Sequence, residues 1–221
     1  MLVIGDENVI NLCDKLSGDF GENDTPHVVK CYNVGPENSS IQSVSKQISD
    51  KSIASDIDCD KVDTVVLHLG AQEWNTASEN TPTARAVFTQ YELLLNSVCR
   101  RFQNPQMVIS GVPLRYLNLA TSPTERERCV AVNTETSKLN KMLDTLGVEE
   151  SNIHFEGNES SIYISPLFES LYDTPIMLNE KGKLILADHL RSGISAAFAQ
   201  DMLNMGLPEY KEAKNKGSFS S

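Results

Sequence analysis

The chain has 221 residues, 40% of them hydrophobic and 22% charged, which is enough apolar surface for one folded domain and too much for wholesale disorder. A net charge of −11 repels phosphate backbones and anionic membranes, and so argues against non-specific nucleic-acid binding. The apolar runs fall far short of the ~20 residues that cross a bilayer, and no signal-peptide pattern opens the chain.

Leu2-Val3-Ile4 reads as a short buried strand ending at Gly5, and Val9 to Leu16 follows with helical spacing. Ser17 to Thr25 is rich in Gly, Asp and Asn and reads as a loop. A second strand is expected over Val28 to Tyr32 and a second helix over Ser39 to Ile48. Val62 to Leu69 is a near-continuous apolar run, of the kind a parallel sheet buries on both faces. Thr83 to Phe102 has the spacing of a long helix, with Val87, Tyr91, Leu94, Leu95 and Val98 on one side. Met107 to Ser110 is the fourth strand, stopped by Gly111. Thr124 to Leu146 is the next helix, with Ser122 or Thr124 as its cap and Gly147 just past its end. Ile153-His154-Phe155 makes a short fifth strand, and Leu178 to Met202 a last helix entered through Asn179.

This alternation calls for an α/β, doubly wound three-layer sandwich with a five-stranded parallel sheet in the order 2-1-3-4-5. Residues 1–207 are expected to form a single domain and 208–221 a polar, frayed tail. A strand directly after Met1 reads as the start of a domain taken from a longer protein. The five cysteines (Cys13, Cys31, Cys59, Cys99 and Cys129) are odd in number with no CxxC pair. They read as reduced packing residues of an intracellular, cytoplasmic or nuclear protein.

Such sheets carry functional groups at the carboxyl ends of their strands. The first strand runs into Gly5-Asp6-Glu7-Asn8-Val9 and the third into Leu69-Gly70-Ala71-Gln72-Glu73-Trp74. The fourth runs into Ser110-Gly111-Val112-Pro113-Leu114-Arg115, and Thr174 to Gly182 precedes the last helix. In order and spacing these four segments resemble the blocks of SGNH (GDSL-type) hydrolases. Gly5 to Val9 is similar to the opening Gly-Asp-Ser-Asn block, and Gly70 to Glu73 to the Gly-x-Asn-Asp block. Ser110 to Arg115 is similar to a turn of the branch near retrotransposon-encoded esterase domains. Leu178, Asn179 and Gly182 match the closing block.

The resemblance implies an active site, and every one of its five positions is changed. Glu7 stands where the nucleophilic serine would be, Asn38 at the oxyanion glycine, and Gln72 at the oxyanion asparagine. Thr174 and Met177 stand at the aspartate and histidine. A methionine cannot shuttle a proton, and a carboxylate is a poor acyl acceptor. In having the fold without the triad, the chain resembles the Oskar carboxy-terminal domain, on the RNA-binding side of the family.

Two functional readings follow. One is a non-catalytic module binding a protein or RNA partner through Asp6, Glu7, Gln72, Glu73, Trp74, Arg115 and Tyr116, whose aromatic rings could stack on a base or fill a partner pocket. The other is an esterase with a rearranged site, for which Ser110 is the candidate nucleophile and no histidine is obviously placed. His27, His68, His154 and His189 read as packing or surface residues. Asp6, Glu7 and Glu73 converge on neighbouring strand ends, but Asp6 as a helix cap and a solvated Glu7 explain them without a metal. No glycine-rich phosphate loop follows the first strand, so no nucleotide cofactor is expected.

Overall fold

The computed structural model describes residues 1–9, 12, 16, 29–35, 38–74, 81–157, 171–175 and 177–204, with side chains up to residue 199. Five strands, β1 (Leu2–Gly5), β2 (Lys30–Asn33), β3 (Thr64–His68), β4 (Gln106–Ser110) and β5 (Ile153–Glu156), form one sheet. Among the described residues, four unbroken α-helices accompany them: α1 (Ile41–Ser49), α2 (Ala84–Phe102), α3 (Pro123–Glu149) and α4 (Glu180–Asn204). The strand order is β2-β1-β3-β4-β5 and every neighbouring pair is parallel. This is the doubly wound α/β architecture that the alternating pattern predicts.

Side chains alternate across each strand, so the sheet feeds two cores. Leu2, Ile4, Val65, Leu67, Met107 and Ile109 pack against Val44 and Ile48 of α1, Val87 and Leu94 of α2, and Leu139 and Leu143 of α3. On the opposite face Val3, Val66 and Val108 meet Leu12, Leu16 and the α4 residues Leu186, Leu190 and Ile194. Burial on both sides is why these strands are runs of Val, Ile and Leu with little polar alternation.

Helix starts follow their caps. Ser40 Oγ accepts from Ser43 N (3.2 Å), Thr83 Oγ1 from Ala86 N (3.3 Å), Ser122 Oγ from Glu125 N (3.1 Å) and Asn179 Oδ1 from Gly182 N (3.0 Å). Some boundaries differ from the sequence reading. Gly147 lies inside α3 rather than past its end. A Cβ there would sit 3.0 Å from Phe155 N, so the glycine serves the close approach of α3 to β5. Leu178 precedes α4 and forms an antiparallel bridge with Tyr172. Of the Val9 to Leu16 helix, Leu12 and Leu16 are helical while Val9 ends a 3-10 turn. The Ser17–Thr25 loop, Val28 at the expected start of the second strand, His27 and the 208–221 tail lie outside the described residues.

Cys59, Cys99 and Cys129 are free thiols, but Cys31 is disulfide-bonded. An odd cysteine count excludes a fully paired framework and still allows one bridge, so the expectation of five reduced thiols fails at Cys31. Among the described residues, no helix is long and apolar enough to cross a membrane.

Gly70 marks the sharpest backbone demand, with φ at +107° and Val112 Cγ2 2.9 Å from where a Cβ would stand. Gly70→Ala should therefore destabilise the fold by about 3 kcal/mol, combining left-handed strain with the clash. Urea unfolding measures it, and a loss below about 0.5 kcal/mol, the scale of an ordinary surface substitution, would show that the turn tolerates a side chain.

Candidate functional site at the carboxyl edge of the sheet

The turn after β1 is tied on three sides. Asp6 N donates to His68 O of β3 (3.1 Å), and Val34 N, just past β2, donates to Gly5 O (3.1 Å). Within the turn Asp6 Oδ1 accepts from Asn8 N (2.9 Å) and Val9 N donates to Asp6 O (3.1 Å). Gly5 is required because a Cβ would lie 2.3 Å from Val9 Cγ1. The third tie spans the chain: buried Asn8 accepts on Oδ1 from Leu178 N at 3.0 Å. Glu7 and Met177 are the sequence neighbours of this bonded pair, so the first turn and the segment before α4 meet at one edge.

The other positions that the family resemblance singles out lie along the same edge. Asn38 is exposed beyond the end of β2, its N–H donating to Gly35 O (3.3 Å). Gln72 is half-buried in the 3-10 turn Ala71–Trp74 that follows β3. Thr174 Oγ1 accepts from Met177 N (3.1 Å), so these two positions are joined by a local turn bond with no ionisable group in it.

Most of the other candidate binding residues satisfy the protein's own backbone. Glu73 Oε1 accepts from Ile41 N (2.6 Å), an otherwise orphan donor at the start of α1. Burial pushes its carboxyl pKa up and that hydrogen bond pulls it partly back. Trp74 is 2% exposed, its Nε1 donates to Pro82 O (2.9 Å), and its carbonyl accepts from Arg128 (3.0 Å). Arg115 is clamped through its backbone by Asn133, at 2.7 and 2.9 Å. Tyr116 is buried and stacks on Tyr172 with ring centroids 5.9 Å apart. In this arrangement the Trp74 and Tyr116 rings fill the rim and present no open stacking face. The cavity between Ala71, Trp74, Val112, Pro113 and Arg115 holds about 10 Å³, room for a single water. Among the described residues no group of three or more His, Cys, Asp and Glu is placed to hold a metal ion.

One arrangement corrects the sequence reading, which found no histidine placed for Ser110. His68 Nδ1 lies 2.8 Å from Ser110 Oγ, and His68 Nε2 lies 3.9 Å from Asp6 Oδ1. Ser110, His68 and Asp6 are 0%, 1% and 2% exposed. Leu67 pairs with Ile109, so His68 and Ser110 are register neighbours pointing to one face. The available signal was that each is the last residue of its strand, but register between strands is not written in either segment alone. Burial pushes the His68 imidazole pKa below its ordinary value, with Asp6 pulling the other way. A second polar group sits between β5 and α4. The Glu156 carboxylate meets His154 Nε2 (3.1 Å) and His189 Nε2 (3.2 Å), and His189 Nε2 also reaches Gly157 O (2.6 Å). Gly193 of α4 makes room, since a Cβ there would touch Glu156 Oε2 at 2.8 Å.

No protein-family model matches the sequence, and no curated protein matches it. Solved structures do match. A member of the lipolytic G-D-S-L family from Veillonella parvula superposes with a TM-score of 0.60 at 14% identity, covering 86% of this chain and 95% of that one. A GDSL-like lipase from Bacteroides thetaiotaomicron gives 0.59 at 13% identity, over 89% and 87% of the two chains. A lipase/acylhydrolase from Enterococcus faecalis gives 0.55 at 13% identity, over 88% and 95%. The chain thus has the fold of GDSL/SGNH lipolytic hydrolases.

Asn8→Ala should leave the buried Leu178 N–H without its acceptor, at a cost of about 2 kcal/mol. Urea unfolding reads the loss, and hydrogen exchange at Leu178 should accelerate with it. An unchanged Leu178 exchange rate would mean that the first turn does not hold the last helix.

Proposed function

We propose that the chain is a non-catalytic SGNH-fold domain that acts as an interaction module, using the carboxyl edge of its sheet to bind a protein partner. The observation that carries this reading is the Thr174–Met177 pair. Where the family resemblance puts an aspartate orienting a histidine, a threonine hydroxyl caps a methionine N–H at 3.1 Å, and neither side chain can act as a base near neutral pH. Glu7 supplies a carboxylate where a serine would attack. The net charge of −11 favours a partner with a basic surface over RNA. The likeness in lost residues to retrotransposon-encoded esterase domains and the Oskar carboxy-terminal domain belongs to this proposal.

The Ser110–His68 contact favours a second reading, an esterase with Ser110 as nucleophile. Two facts weigh against it. The hydroxyl has no exposed surface, so no ester carbonyl can reach it, and the Asp6 carboxylate at 3.9 Å is too distant to hydrogen-bond the ring.

The test is chemical. The purified chain should hydrolyse short-chain aryl esters no faster than background, and a serine-reactive phosphonate should leave its mass unchanged. Stoichiometric labelling at Ser110, abolished by Ser110→Ala, would move the second reading ahead. The combined Glu7→Ser, Thr174→Asp and Met177→His variant should show weak activity at most. Gln72 is one methylene too long for the oxyanion position, and a donor misplaced by about 1 Å can cost on the order of a hundredfold. Robust turnover from Glu7→Ser alone would reveal a base already in reach and overturn the non-catalytic reading.

A further inference from the structure

Ser110, His68, Asp6, Asn8 and Leu178 form one buried polar chain running from β4, across β3, into the turn after β1 and on to the segment before α4. Its links are 2.8 Å (Ser110 Oγ to His68 Nδ1), 3.9 Å (His68 Nε2 to Asp6 Oδ1), 2.9 Å (Asn8 N to Asp6 Oδ1) and 3.0 Å (Leu178 N to Asn8 Oδ1). Only the second is too long to be a hydrogen bond. His68 Nε2 is accordingly a buried polar atom with no hydrogen-bond partner. Such an atom is costly, and it calls for an explanation.

The neutral imidazole has a preferred form here. With Asp6 ionised, a bare Nε2 lone pair would face a carboxylate, so the proton sits on Nε2 and the Ser110 hydroxyl donates to Nδ1. Adding a second proton changes both ends. Nδ1–H must then donate to Ser110 Oγ, turning the hydroxyl away. Nε2–H, now cationic, draws Asp6 from 3.9 Å toward the ~2.8 Å of a charge-assisted bond. Asp6 Oδ1 is the atom that holds Asn8 N. A shift of about 1 Å in a close-packed interior cannot be absorbed locally, so it passes to Asn8 and its bond to Leu178.

We propose that His68 is a proton-operated latch on the carboxyl edge: protonation pulls Asp6 off the Asn8 N–H and slackens the tie between the turn carrying Glu7 and the segment carrying Thr174 and Met177. The latch is a property of the scaffold and acts whatever the edge binds. Among the described residues, Asp6 is the charged group set against the ring. From β4 comes Ser110, and α4 covers this face with Leu186, Leu190 and Ile194. Glu156 of β5, the register partner of Ser110, is engaged by His154 and by His189 of α4. Since burial lowers the folded imidazole pKa below the ordinary value of 6.5, the neutral form is the one folding favours. The latch is closed at and above that ordinary value and opens only as pH falls through the lowered folded pKa.

Hydrogen exchange of the whole chain between pH 7.5 and 5.0, corrected for the intrinsic pH dependence of exchange, tests this. Protection of the Asn8 and Leu178 amides should fall on acidification at least tenfold more than that of the β3 amides. In His68→Gln the two sets should keep pace. Parallel losses in the wild-type chain would mean general acid destabilisation and would refute the latch, whatever the variants do. Asp6→Asn keeps an acceptor for Asn8 N but removes the charge. It should move the midpoint of the Asn8 and Leu178 loss down by about one pH unit, as expected for an opposite charge removed from within ~4–6 Å. A midpoint that stays in place in Asp6→Asn would also overturn the proposal.

Discussion

The hydrogen bond from Leu178 N to Asn8 Oδ1, between residues 170 positions apart, is the constraint on which the functional edge depends. Parallel strands cannot close on themselves with short hairpins. Their carboxyl ends open into separate loops, each leaving backbone groups that must find partners in the interior. Here the first loop and the last crossover satisfy one another. That bond makes one surface out of Glu7 and the Thr174–Met177 turn, which come from opposite ends of the chain.

The same requirement explains the fate of the polar residues around the edge. Glu73 supplies the acceptor that the first amide of α1 lacks, and Asn133 clamps both backbone groups of Arg115. Asn140, buried in α3, takes the amide and carbonyl of Val112 at 2.9 and 3.0 Å. Each of these side chains could serve a ligand in another setting. An unpaired buried backbone group would cost about 1–3 kcal/mol, so satisfying it comes first. Of the positions that the family resemblance singles out, Asn38 and Thr174 remain exposed, and Glu7, Gln72 and Met177 are half-buried.

The face under α4 is of a different kind. Its apolar layer is interrupted by two polar groups, Ser110–His68–Asp6 toward the centre of the sheet and His154–Glu156–His189 at the β5 edge. Three of the chain's four histidines are thereby on one side of the sheet. Gly193 permits this by letting the Glu156 carboxylate approach the helix backbone. Buried networks of this sort fix one arrangement of the packed layers, because any slip leaves a polar atom unpaired in a low-dielectric interior.

The amino-acid order alone determined the layers of this protein. Near-continuous apolar runs, long helical repeats and Ser, Thr and Asn caps are local signals, and they placed the described strands and long helices to within a few residues. That position 7 is a carboxylate and not a serine, and that positions 174 and 177 carry no titratable side chain, was equally legible, because a methionine or a threonine cannot be a base in any fold. Tertiary structure decided everything that depends on register and burial. Ser110 and His68, 42 residues apart, meet only because β3 and β4 pair with Leu67 against Ile109. Trp74, Tyr116 and Glu73 read as surface candidates because strand ends are usually open, and they turned inward because neighbouring elements offered a core to fill and an amide to cap. Gly147 read as a helix stop because glycine commonly is one, whereas the approach of β5 made it a contact. Local chemistry fixes what a residue can do, and only the packed chain determines which neighbour it does it for.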